Sequence, residues 1–208
     1  AVREVLRWPQ VERVVLVDLD RAVTDLARTH PRLVALNRGS LSDPKVQVVN
    51  ADAMSYIAES RELFDVVLLD FPDPSNFSVG KLYSTELYRR VRARLAPGGR
   101  VAVQSTSPLL ARRSFWCVVG TLRAAGFDVL PYRVFVPSFA DWGFVLAGLE
   151  PVEPPTRLPP SALAYLDPST LAHLFQLPAD VSELPVEPNR LNNQALVSYY
   201  LKEWSRWE

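Results

Sequence analysis

The strongest constraint on this chain is a rhythm in its first 150 residues, where short apolar runs alternate with helix-like segments and several of the runs end on an acidic side chain. Residues 13 to 18 (RVVLVD), 46 to 50 (VQVVN), 65 to 70 (DVVLLD) and 100 to 104 (RVAVQ) are β-branched or leucine-rich. Near-continuous apolarity over four to six residues suits strands covered on both faces. Between them lie helical candidates at 20 to 29, 53 to 59, 85 to 95 and 109 to 125, several opened by Ser, Thr or Asp. Strands that alternate with helices predict an α/β domain on a mostly parallel, Rossmann-type sheet. Pro97-Gly98-Gly99 reads as a turn that ends one helix and launches the next strand. Residues 128 to 136 and 143 to 149, joined by a linker from Pro137 to Trp142, read as an antiparallel pair at the sheet edge.

From 151 to 160 the sequence becomes PVEPPTRLPP, a proline-rich linker that can continue neither a helix nor a central strand. The expected organisation is therefore a nucleotide-binding catalytic domain over 1 to 150, the linker, and a small helical tail over 161 to 208. Within the tail, helices are expected near 161 to 165, at 168 to 176, and from Asn192 to Trp207, the last with an aromatic flank of Tyr199, Tyr200, Trp204 and Trp207. Docking on the same chain is the favoured reading of that flank, with a dimer partner or a membrane-proximal surface as alternatives. The chain opens directly on a helical pattern (Val2, Leu6, Trp8) with no strand before it, which reads as a domain lacking its first strand and glycine loop.

Composition removes several classes of function. Basic and acidic residues balance at 23 each, so there is no cationic footprint for nucleic acid. Only His30 and His173 are present, neither at ligand spacing with another donor, and no metal site is expected. The single Cys117 lies in an apolar helical stretch and forms no internal disulfide. No uninterrupted run of 18 apolar residues occurs.

In an open parallel sheet, ligands bind outside the carboxyl ends of the strands. Asp18 ends the first run, Asp52 follows the second, and Asp70 ends the third with Asp73 three residues on. If one strand precedes residue 1, Asp18 is placed for ribose hydroxyls and Asp52 for an adenine amino group. Each alone can equally be a helix cap, and Asp20 is expected to be nothing else. Asp70 and Asp73 make the sharper constellation. Pro72 and Pro74 forbid a regular helix and stiffen the loop, so two carboxylates can face one crevice. Such a pair suits a cationic amine that must lose a proton before attacking carbon; at an alkylamine pKa of about 10.4, only about one molecule in 10³ is neutral near pH 7. Phe115, Trp116, Val119 and Leu122, with Leu109, share helical spacing and are read as core, while Arg89, Arg92 and Arg94 are read as a solvated face.

These residues resemble those of spermidine synthases and their relatives, in particular the bacterial branch fused to a membrane-spanning segment. The resemblance is carried by AVREVLRWPQVERVVLVDLD, NADAMSYI, FDVVLLDFPDPS, KLYSTELY, LAPGGRVAVQSTSP and PYRVFVPSFADWGFVLA over residues 1 to 149, and by the tail LNNQALVSYYLKEW. Val2, Arg3 and Glu4 look like the end of the family's glycine-rich signature.

The resemblance implies a methyltransferase-like fold and aminopropyl transfer from decarboxylated S-adenosylmethionine, a co-substrate rather than a bound cofactor, to a polyamine such as putrescine. Spermidine and methylthioadenosine would be the products. It implies Asp70 as catalytic base, Asp73 and Tyr83 as amine-binding residues, Asp18 at the donor's ribose, and Asp52 with Ala53 at its adenine. Tyr83 can equally be a packing residue. A family tyrosine that helps orient the amine is replaced by Phe139. A homodimer in the cytoplasm is implied as well, at the inner face of the plasma membrane where a membrane segment is fused. Two other readings share the sheet: an S-adenosylmethionine-dependent methyltransferase and a non-catalytic nucleotide-binding domain.

Overall fold

The computed structural model describes residues 1–138, 140–158 and 163–206. These residues form two compact units, Ala1–Ser60 and Arg61–Glu208.

The first unit contains α1 (Val2–Val5), β1 (Val14–Asp18), α2 (Arg21–Thr29), α3 (Pro31–Asn37), β2 (Val46–Asn50) and α4 (Ala53–Glu59). β1 and β2 pair in parallel, from Val14 opposite Val46 to Asp18 opposite Asn50. As expected, Asp20 caps α2, its carboxylate accepting from the amides of Ala22 and Val23. The chain also forms a helix, α3, where no helix was expected. Its signals are a proline in the first turn and a left-handed exit at Arg38 (φ 56°) and Gly39 (φ 68°). It spans seven residues and buries none of them, too short a segment for apolar periodicity to identify.

The second unit carries β3 (Phe64–Leu69), α5 (Phe77–Gly80), α6 (Thr85–Arg92), β4 (Leu95–Gln104), α7 (Arg112–Ala124), β5 (Asp128–Val136), β6 (Ala140–Gly148), α8 (Pro168–Leu174) and α9 (Ala195–Trp204). Its sheet has the order β3-β4-β6-β5, with β3 parallel to β4 and the other neighbours antiparallel. The expected antiparallel edge pair is thus formed. Its linker is shorter than the expected 137 to 142, because β6 begins at Ala140; Phe139 lies outside the described residues.

Pro97-Gly98-Gly99 does not precede β4 but forms an irregularity inside it. The pairing jumps from Phe64–Leu95 to Val66–Arg100, with Gly98 at φ 73°. α6 correspondingly stops at Arg92; Arg89 and Arg92 are exposed as expected, while Arg94 is half-buried beyond the helix. Coverage on both faces holds for β4, where Val101 and Val103 are fully buried, but not for β3, where Val66 and Leu68 are exposed. β3 is the edge strand of its sheet.

The core of this unit is α7 with Phe115, Val119 and Leu122, α6 with Leu87, Tyr88 and Val91, and the buried side of β4 and β6. Leu109 does not join it, being exposed and three residues before α7 begins. Cys117 is buried, and its thiol is pushed up to about 12, chiefly by loss of solvent.

The tail packs as part of the second unit rather than apart from it. Trp116 Nε1 donates to the Val181 carbonyl at 3.0 Å, Arg112 reaches Ser182, and Arg123 pairs with Glu183. Tyr132 of β5 sits between the rings of Phe144 and Phe175 at 5.4 and 5.3 Å. The helix expected near 161 to 165 falls partly outside the described residues, and residues 163 to 165 are not helical. α9 begins at Ala195 rather than Asn192, and Trp207 lies outside the described residues. No helix among the described residues is long and apolar enough to cross a membrane.

Candidate active site

The acidic loop follows the carboxyl end of β3 and has no regular structure from Asp70 to Ser75, as Pro72 and Pro74 require. The parallel register that sets Leu69 opposite Val103 brings Gln104, the last residue of β4, beside Asp70. One orientation of the Gln104 amide satisfies both its ends; in the other, its oxygen would face only acceptors. In that orientation its nitrogen donates to Asp70 Oδ1 at 2.7 Å and to the Phe71 carbonyl at 3.1 Å. Its oxygen accepts from Trp142 Nε1 of β6 at 3.1 Å. Trp142 is buried, so the chain Trp142–Gln104–Asp70 ties the exposed carboxylate to the interior of the sheet.

Asp73 occupies a different environment. It is half-buried, Oδ2 accepts from the Tyr200 hydroxyl of α9 at 3.0 Å, and Oδ1 is buried without a hydrogen-bond partner. Burial raises its pKa above the usual carboxylate value, and the Tyr200 hydrogen bond opposes that rise. The two carboxylates of one loop therefore differ: one exposed and braced by an amide, the other withdrawn from water with one acceptor unspent.

Tyr83, expected at the amine, is only 2% exposed, and its hydroxyl lies 3.0 Å from the Phe71 carbonyl and 3.1 Å from that of Pro72. It therefore pins the backbone between the two aspartates. Its ring meets Phe71 edge-on at 5.9 Å. Burial, reinforced by the charges of Asp73 and Asp70, raises its phenol well above the ordinary tyrosine value, so it stays a neutral donor.

In the first unit, Asp18 closes β1 and accepts from the Asp20 amide at 2.8 Å. Asp52 is the N-cap of α4, accepting from the Ser55 amide at 3.0 Å, and Ala53 is the first residue of that helix. Both carboxylates thus take up the capping and turn bonds open to any aspartate at a strand end.

Gln104 and Tyr200 escaped the sequence analysis. Gln104 carried the signal that exposed Asp70, a polar residue closing an apolar strand. Tyr200 carried none, being one of three aromatic residues on α9, 127 positions from its partner.

Four strands in the order β3-β4-β6-β5, with α7 packed against them and a ligand-type loop at the carboxyl end of β3, define a methyltransferase-like α/β protein. Solved structures agree on this architecture. A spermidine synthase in complex with the transition-state analogue AdoDATO matches with a TM-score of 0.73 over 85% of this chain and 62% of its own, at 24% identity. Spermidine synthase from Thermotoga maritima matches with a TM-score of 0.70 over 85% and 61%, also at 24% identity.

The profile of the Spermine/spermidine synthase domain matches residues 1–153, and the chain belongs to that family. The polyamine aminopropyltransferase of Leptospira interrogans is 50% identical over 206 residues, covering 99% of this chain and 41% of the relative. Polyamine aminopropyltransferase 1 of Streptomyces coelicolor is 45% identical, covering 98% and 39%. The chain thus spans about two-fifths of the length of these curated relatives.

Proposed function

We propose that the protein of which this chain is part transfers an aminopropyl group from decarboxylated S-adenosylmethionine to a polyamine such as putrescine. The observation that carries this reading is the division of labour in the loop between Asp70, exposed and held by Gln104, and Asp73, half-buried with Oδ1 unpartnered.

A diamine arrives as a dication. Asp73 Oδ1 is a buried acceptor that an ammonium satisfies, and satisfying it offsets the desolvation that raises the pKa of this carboxyl. Asp70, open to substrate, takes the proton from the attacking nitrogen. That nitrogen's lone pair forms the new C–N bond to the propyl carbon as the C–S bond breaks; the sulfonium sulfur keeps the bonding pair and leaves as neutral methylthioadenosine. Proton removal offsets the roughly 4 to 5 kcal/mol cost of presenting a neutral amine near pH 7. A positioned base typically contributes about 10² to 10⁴ in rate.

Gln104 fixes the Asp70 carboxylate, and Tyr83 fixes the backbone linking the two aspartates, so both act through positioning. Asp18 is assigned to the donor's ribose, and Asp52 with Ala53 to its adenine, on the strength of their places at strand ends and the family membership. The proposal extends to a homodimer acting in the cytoplasm, with a membrane segment in the parent protein.

The test is mass-spectrometric detection of methylthioadenosine from decarboxylated S-adenosylmethionine and a panel of diamines, using the full-length protein and its Asp70→Asn variant. Product that needs both an amine and Asp70 supports the reading. Turnover of S-adenosylmethionine itself would replace it with methyl transfer, and no turnover of either donor would leave a binding domain.

A further inference from the structure

The C-terminal helix lies beyond residue 153, where the family's domain profile ends, yet it delivers a side chain to the acidic loop. Its position is set by two buried polar keys. The first is Glu203, 8% exposed, whose Oε1 accepts from the Arg113 amide at 2.7 Å and whose Oε2 accepts from the Ser114 amide and hydroxyl at 3.0 and 2.7 Å. α7 starts after Ala111, which offers no side-chain cap, so Glu203 serves as the cap from 90 residues away. The second is Asn189, fully buried. Its amide donates to Thr121 Oγ1 at 2.8 Å, its Nδ2 to the Gly80 carbonyl at 2.8 Å, and its Oδ1 accepts from the Leu196 amide at 3.2 Å. With Leu196 and Val197 buried between them, α9 is locked onto α5 and α7. From that fixed helix the Tyr200 hydroxyl meets Asp73 Oδ2 at 3.0 Å, and its ring is backed by Trp204 at a centroid distance of 5.7 Å.

We propose that Tyr200 is a positioning residue for the amine site: by occupying Oδ2 of Asp73 it fixes the carboxylate and leaves the buried Oδ1 as the acceptor for an alkylammonium. The inference rests on the reading of Asp73 as an amine-binding residue. Under it the terminal helix is a component of the acceptor site rather than an appendage, and amine affinity depends on a residue outside the matched domain. A carboxylate with one oxygen committed presents a single directed acceptor, whereas an uncommitted one rotates and takes up protons more readily because it is half-buried.

The experiment is a double-mutant cycle on the full-length protein with Tyr200→Phe and Asp73→Asn. It reads putrescine binding by titration calorimetry, together with KM for putrescine, KM for decarboxylated S-adenosylmethionine and Tm. Phenylalanine keeps the ring against Trp204 and removes only the hydroxyl. Tyr200→Phe is expected to weaken putrescine about 10-fold, the scale of one hydrogen bond to a charged group. The donor's KM should hold, Tm should fall only by what one hydrogen bond to Asp73 contributes, and kcat should fall far less than kcat/KM. In the Asp73→Asn background the same substitution should change putrescine affinity less than about 2-fold, because the partner it acts through is gone.

An equal loss in both backgrounds, an equal rise in the donor's KM, or no loss at all would each overturn the inference, leaving Tyr200 a structural staple. Wild-type protein with no amine-dependent turnover would sink the underlying reading and the inference with it. Wild-type turnover with an indifferent Tyr200→Phe would sink the inference alone.

Discussion

The two units use their aspartates in opposite ways. In Ala1–Ser60, Asp18, Asp20 and Asp52 accept from amides two or three residues ahead. In Arg61–Glu208, Asp70 is held by Gln104 across the sheet and Asp73 by Tyr200 from the far end of the chain. Bonds of the first kind follow from the chain's local conformation, because an aspartate preceding a helix reaches the free amides of the first turn whatever else the protein does. Bonds of the second kind exist only once strand register and helix docking are complete. A local cap stabilises its own turn; a long-range brace makes a carboxylate's geometry depend on the whole fold.

This contrast can be broken or sharpened by substitution. The largest effect is expected at Asp70: Asn should lower the rate of methylthioadenosine formation about 10²-fold or more while donor affinity, read by calorimetry, stays near wild type. Loss of donor binding with unchanged turnover at saturation would refute the assignment.

Next comes Glu203→Ala, which strips an acceptor from two backbone amides and a buried hydroxyl. It should destabilise the fold by about 3 kcal/mol in urea denaturation. A change under about 1 kcal/mol would show that α7 does not need its distant cap.

Gly80→Ala should follow at about 1 to 3 kcal/mol, because a Cβ there would run into Val197 Cγ2 and come within 2.6 Å of Gln194 Oε1 on the approaching tail. Asp52→Ala removes the cap of α4 and is expected to cost about 1 kcal/mol in the same assay. If Asp52 also holds adenine, its donor KM rises beyond what that loss of stability explains.

The smallest effect concerns pH. Burial raises the pKa of Asp73, so ionising it costs native stability. Below the unfolded-state value of about 3.9 the carboxyl is protonated in both states and there is no cost. As pH rises the unfolded chain ionises first, and the cost is complete once pH passes the native value. Asp73→Asn removes this cost, so its Tm relative to wild type should climb between about pH 4 and pH 7. A flat difference across that range would mean the Tyr200 bond fully compensates for burial.

How much was legible follows the same division. The alternation of apolar runs and helical segments placed the six strands and most helices of the described residues, because period and capping are properties of neighbouring residues. The misses fall where local signals are weak or a distant contact intervenes. α3 spans only seven residues, too few for its Leu33, Val34 and Leu36 to show a helical period. α7 begins at Arg112 rather than at residue 109, where the distant Glu203 caps its first turn. Tyr83, read from the sequence either as an amine contact or as packing, is buried with its hydroxyl at two loop carbonyls.

By itself the sequence determined the strand-ending carboxylates, the proline-stiffened loop and its family, since these depend on residue type and spacing alone. The tertiary structure decided which carboxylate stays in water and which is buried, what braces each, and that the terminal helix reaches the loop. Such pairings span 34 to 127 positions, and no local preference encodes them. They are fixed by the burial of Leu196, Val197 and the α7 core, a free energy gained only when the whole unit closes.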